Sequence, residues 1–98
     1  MENKLVSYET IFIVDMTGGE EAVQATVDRF TGIIEKSATI ESVETWGKRR
    51  LAYAINDLTE GYYVLVNFQS APEFPKELDR LYNINDAILR SIIIKKDA

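Results

Sequence analysis

Two long strand-like segments, separated by a short polar stretch, dominate the middle of the sequence. Thr39 to Ile55 is rich in β-branched and aromatic residues, and Tyr62 to Gln69 alternates strictly, with Val64 and Val66 on one face. Asn56 to Gly61 has the polar and glycine residues of a turn. The sequence therefore predicts a long antiparallel hairpin.

In the first of these strands the apolar residues switch from even-numbered to odd-numbered positions. Ile40 is even-numbered, whereas Leu51, Tyr53 and Ile55 are odd-numbered. A strand can make that change only by inserting an extra residue, because successive side chains point to opposite faces. We therefore predict a bulge near Glu41 to Val43, after which the odd-numbered residues point to the helix-covered face.

The segments on either side of the hairpin have clear periodicities. Leu5 to Asp15 is strand-like with apolar residues on both faces, and Glu20 to Lys36 carries one apolar stripe at helical spacing. A second helix is predicted around Phe74 to Leu81, and Ala87 to Lys95 is a continuous apolar run typical of a strand. Together these segments predict the order β-α-β-β-α-β.

Both helix starts show the spacing of a capping box. Thr17 precedes Glu20 by three residues, and Ser70 precedes Glu73 by three residues. Pro75 fits only within the first turn of the second helix. We therefore expect a side-chain cap at each helix start.

The element order predicts an α+β fold of the ferredoxin-like type. Two right-handed crossovers with a hairpin between them give a sandwich of four antiparallel strands with both helices on one face. The chain is short enough for one domain spanning residues 1–98. The other face of the sheet is predicted to stay open to water or to a partner.

Composition excludes most kinds of active site. The chain has no cysteine and no histidine, which removes thiolate nucleophiles, disulfides, and the commonest general base and metal ligand. The carboxylate pairs Glu41 with Glu44 and Glu20 with Glu21 have no nucleophile or phosphate-binding loop nearby. We expect no enzyme, no metal, no cofactor and no small-molecule substrate.

Charge and hydropathy bear on location and partners. The sequence begins without a signal-peptide pattern and has no apolar stretch near the roughly 18 residues of a membrane span, which predicts a cytoplasmic protein without a membrane partner. The net charge is −5, but residues 1–47 hold nine of the sixteen acidic residues and three of the eleven basic ones. The second half is therefore better suited to an anion.

A basic run lies between aromatic residues in the first long strand. Trp46 and Tyr53 flank it, and its three consecutive cations are Lys48, Arg49 and Arg50. Cations beside aromatic faces suit RNA, because phosphates pair with Lys and Arg while unstacked bases lie on rings or guanidinium planes. The same charges could instead protect an edge strand from aggregation, or the surface could bind a protein.

Strand alternation predicts which side chains share the open face. If Leu51 points under the helices, the open face carries Trp46, Lys48, Arg50 and Ala52, beside Tyr63, Leu65 and Arg90. Arg49 would then point to the helix side and emerge at the sheet edge. Lys95 and Lys96 are either solvated terminal residues or further phosphate contacts.

Several segments together resemble one known family. They are the Tyr8-Glu9 pair, the run from Trp46 to Tyr53, the triplet from Gly61 to Tyr63, and the stretch from Asn85 to Lys95. In this order, over about Tyr8 to Lys96, the chain resembles the bacterial small-ribosomal-subunit protein six family.

The resemblance implies a ferredoxin-like fold, no catalysis, and a ribosome-associated role. It also implies binding to small-subunit ribosomal RNA jointly with ribosomal protein eighteen, with Lys48, Arg49, Arg50 and Arg90 at positions where RNA or the partner is met. A net charge of −5 disfavours strong RNA binding by the chain alone, so we expect weak binding in isolation and strong binding as a heterodimer. The alternative is a non-catalytic protein-interaction or small-effector-binding module on the same fold.

Overall fold

The structure is a computed structural model that describes residues 5–55 and 58–96, with side chains outside residues 52–59. Within these ranges the elements are β1 (Val6–Val14), α1 (Glu20–Ser37), β2 (Thr39–Ile55), β3 (Leu58–Ser70), α2 (Phe74–Ile84) and β4 (Ile88–Lys95). The strands form one sheet in the order β2-β3-β1-β4, and every neighbouring pair is antiparallel. The predicted ferredoxin-like order and antiparallel sheet are confirmed.

One face of the sheet is covered by both helices. β1 and β3 send their even-numbered residues to this face, and α1 and α2 bury their apolar stripes against them. The buried side chains of this core are Tyr8, Phe12, Val14, Val23, Val27, Phe30, Ile34, Val64, Val66, Phe68, Leu78 and Tyr82. Because each large apolar side chain contributes about 1.5–3 kcal/mol when fully buried, this layer is the main source of stability.

Neither helix start has the predicted side-chain cap. α1 begins at Glu20 with Gly19 at the N-cap position, so Glu20 stands at the first helical position instead of the third, where a capping box needs it. Asp15 Oδ1 accepts a hydrogen bond from the Thr17 backbone N–H (2.8 Å). At α2 the N-cap residue is Glu73, and Ser70 Oγ donates to the carbonyl oxygen of Ala71. Pro75 lies in the first turn of α2, as predicted.

The hairpin is longer than the alternation predicted. β3 begins at Leu58, so residues 58–61 belong to a strand and not to the turn, and residues 56–57 lie outside the described ranges. β1 pairs with β3 only from Tyr62 onward, so the preceding part of the hairpin has no third strand beside it. We call this part, residues 49–55 and 58–61, the arm.

Candidate nucleic-acid interface

Two bulges in β2 decide which side chains share a face. The pairing with β3 shifts between Ile40 and Ser42, which confirms the predicted bulge near Glu41. A second shift between Thr45 and Gly47 leaves Trp46 as an extra residue. Gly47 has a φ of 80°, a conformation that residues with a side chain rarely adopt. The sequence reasoning missed this second bulge, although the Trp-Gly pair is its signal.

The second bulge reverses the facing of the basic run relative to the prediction. Arg49 pairs with Gly61, so it belongs to the open face together with Tyr63. Lys48 pairs with Tyr62, whose ring packs against the helix-covered core. The prediction that Lys48 lies on the open face and Arg49 on the helix side is therefore wrong, because the extra residue at Trp46 moves the side chains that follow it to the opposite face. Arg50 pairs with Glu60, but it still lines one cleft with Trp46 and Tyr63, as predicted for the basic surface.

Leu51 follows the same reversal. It is 8% exposed, and a methyl group added to Gly61 would lie 3.6 Å from Leu51 Cδ2 and would overlap Ile13 Cγ2. Ile13 is on the open face, since it pairs with Tyr63. Leu51 therefore packs on the open face and not under the helices. The predicted facing of Ala52, Tyr53 and Ile55 lies outside the described side chains.

Trp46 and Tyr63 form a stacked pair next to two of the cations. Their ring centroids are 6.3 Å apart and their planes differ by 12°. The two rings, with Arg49 and Arg50, line an open cleft of about 460 Å³. Trp46 remains 41% exposed. Arg49 and Arg50 are also exposed, and neither forms an ion pair with a residue whose side chain the structure describes.

Lys48 has a different environment. Its Nζ lies 3.8 Å from Oε1 of Glu60, and both side chains are more than half exposed. Lys48 also lines a second cleft, of about 680 Å³, together with Glu20 and Glu21 at the start of α1. The carboxylates beside Lys48 make this cleft a poorer place for a phosphate than the one lined by Arg49 and Arg50.

The open face carries an apolar patch that continues across the sheet from Trp46 and Tyr63. Its members, which alternation places on one side of neighbouring strands, are Ile11, Ile13, Leu65, Ile92 and Ile94. Ile92 and Ile94 on the edge strand β4 are 46% and 47% exposed. The continuous apolar run of β4 indicated a strand covered on much of both faces. That prediction is wrong for the open face, where Ile92 and Ile94 are exposed.

The remaining predicted site residues, Arg90 and Lys95, both lie on β4. Arg90 pairs with Ile13 and is exposed on the open face, as predicted. Lys95 pairs with Tyr8, which puts it on the helix side at the end of β4. Lys96 donates a hydrogen bond from Nζ to Oδ1 of Asn67 (2.9 Å).

The described part of the chain has neither a metal-binding cluster nor a membrane-spanning helix. Within residues 5–55 and 58–96 no three His, Cys, Asp or Glu side chains are grouped so that they could hold a metal ion. In the same ranges no helix has the length and apolar character needed to cross a membrane.

Comparison with known proteins identifies the family. Residues 7–95 match the family model described as ribosomal protein S6. The chain is 50% identical over 91 residues to small ribosomal subunit protein bS6 of Clostridium perfringens, covering 92% of this chain and 96% of the relative. It is 49% identical over 90 residues to the bS6 protein of Clostridium beijerinckii, covering 91% and 95%.

Solved structures agree with this identification. The crystal structure of 30S ribosomal protein S6 from Thermotoga maritima matches with a TM-score of 0.89 and 30% identity, covering 95% of this chain and 89% of the other. The C-terminal domain of the MgtC protein from Mycobacterium tuberculosis matches with a TM-score of 0.56 and 14% identity, covering 98% and 93%, and shares the fold alone. The chain belongs to the ribosomal protein S6 family, which places it in the small subunit of the cytoplasmic ribosome as a structural protein and not an enzyme.

Proposed function

We propose that this protein binds small-subunit ribosomal RNA together with ribosomal protein eighteen. It acts by positioning, through cations and aromatic rings on the hairpin and on β4. The proposed contact residues are Trp46, Lys48, Arg49, Arg50, Tyr63, Arg90 and Lys95.

The observation that carries the proposal is the cleft lined by Trp46, Tyr63, Arg49 and Arg50. Two guanidinium groups supply charge-assisted hydrogen bonds to phosphate oxygens, and the partly exposed Trp46 ring supplies area on which a base can stack. No carboxylate lines this cleft among the described residues. Its local charge is therefore opposite to the net charge of the chain.

A partner is needed because the chain as a whole is acidic. A net charge of −5 opposes counterion release, which supplies most of the affinity for a phosphate backbone. The exposed Ile92 and Ile94 offer nothing to a phosphate, but such an apolar patch is typical of a protein interface. A basic protein that covers this patch would bury the isoleucines and add positive charge beside the RNA.

The test is RNA binding by the heterodimer as a function of salt concentration. A fragment of the small-subunit RNA central domain is titrated with the chain, with and without ribosomal protein eighteen. The double variant Arg49→Gln/Arg50→Gln is expected to lower the slope of log affinity against log salt by roughly 1.5 to 2, about one per lost phosphate contact. The control Arg29→Gln/Lys76→Gln removes the same charge from exposed helix positions and is expected to leave the slope almost unchanged.

Two results would contradict the proposal. Equal affinity with and without protein eighteen at one fixed salt concentration would remove the need for the heterodimer. Negligible RNA affinity for the heterodimer would favour the alternative, a protein-interaction or small-effector-binding module.

A further inference from the structure

We infer that the cleft lined by Trp46, Tyr63, Arg49 and Arg50 holds one unpaired RNA nucleotide, with its base on the exposed Trp46 ring and its phosphate between the two guanidinium groups. This inference rests on the proposed RNA-binding function. It goes further by naming the class of RNA element that the cleft takes.

The ring geometry supports a stacked base. Tyr63 lies nearly parallel to Trp46, at 12°, and supports the indole from one side. Trp46 is nevertheless 41% exposed, so part of its ring surface is available to a ligand. A base placed there would extend a stack that the protein has already formed, and little side-chain ordering would be needed on binding.

Two cations in the same cleft supply the contacts for a phosphate. Arg49 and Arg50 line the same cleft as the rings, and its volume of about 460 Å³ is in the range of about 300–1,000 Å³ found for small-ligand sites. The Gly47 bulge brings Arg49 to the face that carries Tyr63. The larger cleft beside Lys48 is lined by Glu20 and Glu21, which would repel a phosphate.

A base that stacks on Trp46 must come from an unpaired nucleotide. In a duplex both faces of each base are covered by neighbouring base pairs, and only base edges and the backbone are accessible. Proteins that read RNA with aromatic platforms bind loops, bulges and single strands, where bases can be splayed out. A fully paired RNA could reach Arg49 and Arg50 through its phosphates but would leave Trp46 uncovered.

The experiment uses the fact that Trp46 is the chain's one tryptophan. The chain is labelled with 5-fluorotryptophan, assembled with unlabelled protein eighteen, and titrated with the central-domain RNA fragment while the 19F spectrum is recorded. Binding is expected to shift the Trp46 resonance. A fully paired, blunt-ended RNA duplex of matched length is expected to leave it unchanged.

Affinity measurements on variants separate stacking from bulk apolar contact. Trp46→Leu is expected to weaken binding of the RNA fragment by about 5- to 150-fold, the range that corresponds to the loss of one base–aromatic stack. Trp46→Phe keeps a ring and is expected to retain most of the affinity. Folding of both variants is checked by the unfolding transition before binding is measured.

The outcomes distinguish this inference from the proposed function. RNA binding that responds to Arg49→Gln/Arg50→Gln but leaves the 19F resonance unmoved would overturn the stacked nucleotide and leave the RNA-binding function standing. A shift produced fully by protein eighteen before RNA is added would assign the cleft to the protein partner, and equal shifts from paired and unpaired RNA would also overturn the inference. Absence of any RNA binding by the heterodimer would overturn both.

Discussion

The protein uses aromatic rings in two opposite ways. In the core, Phe12, Phe30 and Tyr82 contact one another with centroid separations of 4.8–5.7 Å and are at most 1% exposed. On the hairpin, Trp46 and Tyr63 also stack, but the pair stands at the rim of an open cleft beside two arginines. The comparison shows that ring contacts stabilise the fold where both helices cover them. On the face without helices, a ring such as Trp46 remains partly exposed to a ligand.

The largest expected effect is the loss of a core ring. Phe30→Ala is expected to lower the free energy of unfolding by about 3–5 kcal/mol, because it removes a fully buried ring and leaves a cavity beside Phe12 and Tyr82. Trp46→Ala is expected to cost about 1 kcal/mol, since its ring is already partly solvated and loses one aromatic partner. Denaturant unfolding of both variants measures the difference. Similar losses for the two would break the comparison.

An intermediate effect on stability is expected where the arm meets β1. Gly61→Ala would place a methyl group against Ile13 Cγ2, and we expect a loss of about 1–3 kcal/mol through overpacking. Gly32→Ala is the matched control, because a methyl group at this position meets nothing within 4 Å. The substitution also replaces a flexible glycine in the middle of α1. That change is expected to gain about 0.5–1 kcal/mol in denaturant unfolding. A tolerated Gly61→Ala would show that the arm is not held against β1.

The smallest expected effect concerns the polar tip of the core cluster. Thr10 Oγ1 donates to the carbonyl oxygen of Ile92 (2.9 Å), so the Tyr82 hydroxyl is the donor in its 3.1 Å contact with Thr10. Tyr82→Phe removes one buried hydrogen bond while Thr10 keeps its other one. We expect a loss of about 0.5–1.5 kcal/mol at neutral pH.

The same variant also tests a pH dependence. Burial raises the pKa of the Tyr82 hydroxyl above its ordinary value, so the folded state favours the neutral form. The raised pKa therefore adds to the free energy of unfolding. This stabilisation is fully present below the unfolded-state pKa of about 10 and is lost as the pH rises above it. Between about pH 9 and pH 11 the wild type is expected to lose more stability than Tyr82→Phe. Equal losses would show that the hydroxyl is not held in its neutral form.

Much of the fold could be predicted from period and turn chemistry. The alternation in β3 and the stripe Val23, Val27, Phe30 and Ile34 predicted these two elements and the side that each buries. β1 was predicted as a strand with apolar residues on both faces. Two local rules misled. The capping-box spacing predicted Thr17 as the N-cap, but Gly19 is the N-cap and the helix begins at Glu20. The polar residues before Tyr62 predicted a turn, but residues 58–61 belong to β3.

The candidate site was predicted in its residues but not in its geometry. Aromatic and basic residue types in one run were enough to identify Trp46, Arg49 and Arg50 as a group. Their facing was not predictable by alternation, because one extra residue at Trp46 reverses the facing of Lys48, Arg49 and Leu51. The odd number of Leu51 was therefore taken as evidence for the wrong face.

The sequence alone determined the element order, the helix-covered core and the family, because these depend on periodicities and residue runs that are local in the chain. Only the tertiary structure decided which cations stand beside the Trp46–Tyr63 stack and which stand beside carboxylates. That division depends on the register of β2 against β3 and on the approach of α1 to Lys48, and both join residues distant in sequence.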